Sequence, residues 1–207
     1  MNWSEIRQNA GFSGSYRSES DPGRSLPIGH FSVRLKKKGM QKISDHTIDV
    51  INDRIQNMDE DRIGRVWDAF AKEQPALVGY VLGESRELQT PDAREDVAYI
   101  LTIILLSFRE LRPGIPVVSE AEFEKAFNAE FEEMEEVFHD GFDETDAMTI
   151  MDSFCQPDLL QFAAATIYSE GGEVEESSNF TEEEAGLFIV IFKTVIGLLH
   201  KKADAIV

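Results

Sequence analysis

From Ser44 onward the apolar positions recur at three- and four-residue intervals, the rhythm that turns one stripe of a helix toward a core. Ile48, Ile51, Ile55 and Met58 fall at i, i+3, i+7 and i+10 behind Ser44, a residue suited to capping a helix start. A second stripe, Ile63, Val66, Trp67 and Phe70, predicts a helix over about 60–72. Gln74-Pro75 interrupts it, because proline removes a backbone donor yet suits the first turn of a new helix, placed at about 75–88. Thr90-Pro91-Asp92 opens a fourth, strongly apolar helix to about 111, and Pro113-Gly114-Ile115-Pro116 stops it.

The second half replays this plan. Ser119 and Glu122 form a capping box before a stripe of Phe123, Phe127, Phe131, Met134 and Phe138, closed by His139-Asp140-Gly141. Ala147, Ile150, Met151 and Phe154 repeat the second helix's spacing, and Asp143 or Thr145 can cap them. Gln156-Pro157 then recurs in the slot of Gln74-Pro75, followed by Leu159, Leu160 and Phe162 where the first half has Leu77, Val78 and Tyr80. After an acidic, Gly- and Ser-containing loop from Glu170 to Asn179, Thr181 and Glu184 form another capping box. Leu187–Leu199 then matches Val97–Phe108. The expected fold is all-α, about eight helices in two four-helix units, 44–112 and 119–203, with a pseudo-twofold relation. The two helices that are apolar on nearly every side belong at its centre. A HEAT or tetratricopeptide stack is the alternative, but its repeats are shorter than the period of about 75 residues seen here.

Residues 1–40 show neither rhythm and are expected to be a mostly disordered basic segment, with seven Arg or Lys against three Asp or Glu. Lys36-Lys37-Lys38-Gly39 would be encoded almost wholly by purines, as a bacterial ribosome-binding site is, so Met40 is a candidate biological start. A genuine basic arm weighs equally. Residues 41–207 are then a single all-α domain.

Charge changes the picture. The formal net charge is -19, and residues 120–184 hold 21 acidic side chains with Lys125 as their one base. Direct nucleic-acid binding is electrostatically opposed. The longest apolar runs, 12 and 13 residues, are too short to span a bilayer. The single cysteine, Cys155, excludes an intrachain disulfide and suits a reducing compartment, so a cytoplasmic protein is expected, and a bacterial one if the 36–39 codons are a ribosome-binding site.

Candidate chemistry is thin. Glu136-Val137-Phe138-His139 has the spacing used by carboxylate-bridged di-iron bundles, but a complete site needs a second such motif, and none of the other histidines provides one. Termination of a helix by His139 is the simpler account. Asn57-x-Asp59-x-Asp61 starts like a calcium loop, yet Arg62 stands where glycine is required and Asp68 where glutamate is, so it reads as an acidic helix start. The 140–146 cluster lacks the spacing too and reads as a turn. Cys155 has no histidine near in sequence and reads as a buried, inert thiol. No Gly-x-Ser-x-Gly and no phosphate loop after a strand occur.

Gln74, Pro75, Gln156 and Pro157 are read as structural, each glutamine satisfying freed amides at its own junction. The Phe123, Phe127 and Phe131 stripe is read as core. Glu130, Glu132, Glu133, Glu135 and Glu136 form a solvated face, of which Glu130, Glu133 and Glu136 are the candidate contacts for a basic protein partner or for mimicry of nucleic-acid charge. The functional expectation is a non-catalytic protein-interaction or regulatory module with an acidic surface, needing no cofactor and no membrane, and free to self-associate. A metal-binding helical-bundle enzyme using Glu136 and His139 is the alternative.

Overall fold

A computed structural model describes residues 41–139, 151, 153–168 and 179–206, and for 135–139 the backbone alone. Seven α-helices lie among these residues: α1 (Asp45–Gln56), α2 (Glu60–Glu73), α3 (Pro75–Glu84), α4 (Pro91–Leu111), α5 (Glu120–His139), α6 (Pro157–Ile167) and α7 (Glu182–Asp204). The described residues contain no strand. The count is therefore seven rather than eight. The stretch expected to hold the missing helix, about 143–154, falls mostly outside the described residues, as do the arm 1–40 and the loop 170–178. Met151 and Phe154 are described, and both pack against the core.

Local chemistry sets the helix ends much as expected. Asp59 caps α2 by accepting from Arg62 N at 2.8 Å, which accounts for the calcium-like acids. Thr90 caps α4, and Ser119–Glu122 and Thr181–Glu184 close reciprocal capping boxes. Pro75, Pro91 and Pro157 stand in the first turns of α3, α4 and α6. Ser44 departs from the pattern: it occupies the cap position of α1 but its side chain makes no cap hydrogen bond, its Oγ lying instead 3.3 Å from Thr47 Oγ1. Helix α3 stops at Glu84, and a 3₁₀ turn, Ser85–Glu87, carries the chain on to Leu88. Gly114, at φ +78, supplies the left-handed backbone that the Pro113-Gly114 turn needs and that a side chain would strain.

Helices α4 and α7 form the centre, packed on each other. Around them, α4 meets α1, α3 and α6, while α7 meets α5 and α6. From Ile100 to Phe108 every residue of α4 is buried, as is every residue of α7 from Val190 to Ile196. Two hydroxyls inside the rods are satisfied within them, Thr102 donating to Ala98 O and Thr194 to Val190 O, whereas the buried Ser107 Oγ of α4 has no hydrogen-bond partner among the described residues. The N-terminal ends of the two rods are stitched together. Gln89 N donates to Glu184 Oε1 at 3.0 Å, and Thr90 Oγ1 donates to Asn179 O at 3.1 Å.

Gln74 and Gln156 do something other than cap their own helices. Each side chain reaches across the molecule and holds the extended residue just before a serine that starts another helix. Gln74 Oε1 accepts from Val118 N at 2.9 Å, while its Nε2 donates to the carbonyls of Ile115 and Pro116. Gln156 Oε1 accepts from Ile43 N at 2.7 Å, its Nε2 donates to Gln41 O, and the same nitrogen lies 2.9 Å from His200 Nδ1. The expectation of local amide contacts is thus corrected. With proline next in line, the first turn lacks one amide donor, and the glutamine amide is free to serve a distant backbone.

Replacing either glutamine strands a buried main-chain N–H, which costs about 1–3 kcal/mol. Gln156→Ala and Gln74→Ala should each lower the urea midpoint by that amount, whereas Gln161→Ala, at an exposed position of α6, should leave it unchanged.

Candidate functional site

Helix α5 faces two ways. Its buried stripe, Phe123, Phe127, Phe131 and Met134, packs inward, as expected of core. Tyr80 of α3 joins it, with ring centroids 4.4 Å from Phe123 and 5.7 Å from Phe127, so the contact of α3 with α5 is aromatic. Glu120, Glu122, Glu124, Glu132 and Glu133 of the same helix are exposed.

Where α5 meets α3, the surface opens into a cleft of about 240 Å³. Its floor and walls are the rings of Tyr80 and Phe123, the small residues Ala76 and Gly79, and the carboxyl-bearing Glu120 and Glu124. The local potential is negative. Burial first, then the charges of Glu84 and Glu124, hold the Tyr80 phenol well above its ordinary range. Glu84 is itself pushed upward, by burial and then by its neighbour Glu87.

Of the acidic residues singled out from sequence, Glu130 and Glu133 converge on one partner. Lys193, 5 % exposed in the middle of α7, places its Nζ 2.6 Å from Glu130 Oε2 and 3.6 Å from Glu133 Oε1. Glu130 is therefore engaged inside the fold, while Glu133 keeps most of its side chain in water. The side chains of Glu136, and of His139 at the last residue of α5, lie outside the described residues. Among those described, no group of three His, Cys, Asp or Glu side chains comes together as a metal site.

Cys155 is a half-buried free thiol whose ionisation burial pushes up to about 11, so it carries almost no thiolate near neutrality. Glu122 is the opposite case. A hydrogen bond with the Lys202 ammonium, followed by those with the Ser119 backbone and hydroxyl, holds its carboxyl down to about 2. Lys202 thereby ties the end of α7 to the start of α5 at 2.7 Å.

Lys193, Tyr80, Glu120 and Glu124 carry no functional expectation in the sequence pattern. A lone lysine inside the run Leu187–Leu199 was a usable signal, since a cation among apolar residues needs an acid from a facing helix. Nothing in the one-dimensional pattern brings Tyr80 to Glu124. No helix among the described residues is long and apolar enough to cross a membrane.

Glu130→Leu should destabilise the protein by about 3 kcal/mol, because it leaves the Lys193 charge buried with only the more distant Glu133. Lys193→Met should cost less, and the double variant should recover most of the Glu130→Leu loss. Additive losses in urea unfolding would contradict this. Because the Glu122 carboxyl is depressed in the fold, the stability it contributes is complete above the ordinary carboxyl range and is lost as pH falls toward about 2. Lys202→Met should raise its titration midpoint in a carboxyl NMR experiment.

No protein-family model matches the chain, and neither does any curated protein or solved structure, so its function rests on its own residues.

Proposed function

We propose that the chain is an internally duplicated helical scaffold, 44–112 and 119–203, acting without catalysis as a cytoplasmic protein-interaction or regulatory module whose acidic surface receives a basic partner. Reciprocity supports the duplication. The glutamine of the first half holds the entry to the first helix of the second, through Val118, and the glutamine of the second holds the entry to the first helix of the first, through Ile43. The matching starts of α4 and α7 meet, as equivalent ends do across a twofold axis.

One observation carries the interaction reading: the cleft between α3 and α5, where aromatic rings and carboxylates share a small concavity. A lysine or arginine side chain suits it on three counts. Ring faces attract a cation. Glu120 and Glu124 supply opposite charge at the rim, and Gly79 and Ala76 leave room for a long stem to lie against the helix. Glu132 and Glu133 extend the acidic surface further along the same helix, so several basic residues of one partner find counter-charges.

The test compares wild type with Glu120→Gln/Glu124→Gln, which removes both rim charges and leaves the Lys193 pair intact. A partner captured from lysate by the wild type should be lost or weakened at least about tenfold in the variant, and its affinity should fall steeply with added salt. A complex indifferent to salt and to both substitutions sinks the proposal.

A further inference from the structure

A second cleft, of about 390 Å³, lies on another face, between α2, the C-terminal end of α4 and the Pro113–Val117 loop, and it has the opposite charge. Arg109, in the last turn of α4, and Arg112, the residue that caps its C-terminus, both line it. The Arg109 guanidinium sits over the Phe70 ring, Cζ 5.2 Å from the centroid. Its nearest carboxylate, Glu73, is 3.9 Å away, beyond hydrogen-bonding distance. Arg112 follows the last residue of α4, and its Nε is buried with no hydrogen-bond partner among the described residues.

Basic side chains near a helix C-terminus are favoured by its exposed carbonyls, which accounts for having arginines here. It does not account for a buried guanidinium nitrogen without an acceptor, which a native fold rarely tolerates. The facing loop does not supply that acceptor: the carbonyls of Ile115 and Pro116 receive Gln74 Nε2, and neither reaches Arg112 Nε. Gln74 also holds Val118 N, so the loop wall is fixed in place.

Two guanidinium groups against the single carboxylate of Glu73 leave a surplus of one positive charge in a chain whose net charge is -19. That surplus matches a monoanion. The planar guanidinium fork matches a carboxylate in particular. The remaining surroundings are apolar, with Phe70 and Leu105 beneath and Ile115 and Val117 at the rim, Val117 being 52 % exposed. The volume falls within the range of about 300–1,000 Å³ usual for small-molecule pockets. We propose that this cleft binds a small monocarboxylic acid with an apolar body, its carboxylate on Arg109 and Arg112 and its body against Ile115 and Val117.

Isothermal titration of the full chain with octanoate, below micelle formation, tests this. Octanoate should bind saturably, acetate at least about tenfold more weakly, and octanol without saturation. Arg109→Met and Arg112→Met should each weaken octanoate about tenfold or more. Val117→Glu places a repelling charge on the exposed rim without touching either arginine, and should have the same effect even if an arginine variant fails to fold. No saturation with octanoate, or wild-type binding in Val117→Glu, overturns the site. Equal affinity for acetate overturns the apolar body, and equal affinity for inorganic phosphate overturns the carboxylate. Much tighter binding of acetyl-Leu-Phe with a free C-terminus replaces the small acid by the end of a peptide chain. None of these readouts involves Glu120 or Glu124, so the outcome is separable from that of the acidic cleft.

Discussion

Helices α4 and α7 cannot face water. Between Ile100 and Phe108, and again between Val190 and Ile196, no side chain reaches the surface, so each rod must be enclosed on all sides. Amphipathic helices meet that requirement. Helices α1, α3 and α6 cover α4, while α5 and α6 cover α7. Thr102 and Thr194 offset the cost of their burial in the rods by bonding internally, and Lys193 does so through the counter-charge that Glu130 supplies from a facing helix. Each such exception fixes a register. Lys193 can satisfy its ammonium only if α5 presents Glu130 at that height, which discriminates against a sliding of two otherwise greasy surfaces.

Enclosure alone does not decide how the surrounding helices enter. That falls to two amides. Chain segments before α1 and α5 are extended, and their buried N–H groups at Ile43 and Val118 have no helical or sheet partner of their own. Gln156 and Gln74 supply the missing acceptors across long sequence separations. Asp158, two residues further on in the first turn of α6, accepts from the backbone N–H of Asp45, so the start of α6 grips the start of α1 at two points. A side-chain amide suits this work because it offers an acceptor and donors together, and each glutamine uses both.

Much of this was legible in the residues. Helix limits followed from the apolar stripes together with capping residues and first-turn prolines, because those signals are local and act within a single turn. The centrality of α4 and α7 followed from their lack of a polar face. The role of Gln74 and Gln156 was legible only as a recurrence: the repeated Gln-Pro marked a structural position, but a bond spanning from residue 156 to residue 43 leaves no periodic trace. The clefts were illegible for the same reason. Arg109 and Arg112 look like ordinary basic residues closing a helix until Phe70 and the Pro113–Val117 loop fold against them. Tyr80 looked like the third member of an apolar triplet, and nothing in its neighbourhood along the chain announces Phe123 or Glu124.

The two clefts share one mechanical cause. Gln74 terminates α2, precedes Pro75 at the start of α3, and pins the loop that leads into α5. On one side of that junction, the path of the loop forms the wall facing Arg109 and Arg112. On the other, the start of α5 is brought beside α3, which sets Glu120 and Glu124 next to Tyr80. A single amide therefore positions one wall of each cleft, on both sides of one connection. An occupant that drew the loop toward the arginines would pull on Val118 and Ser119, the residues from which α5 begins. Coupling between the clefts would have a covalent path only a few residues long. It requires that the loop have two arrangements that an occupant can tell apart, since a ligand shifts an equilibrium only by its differential affinity for the states.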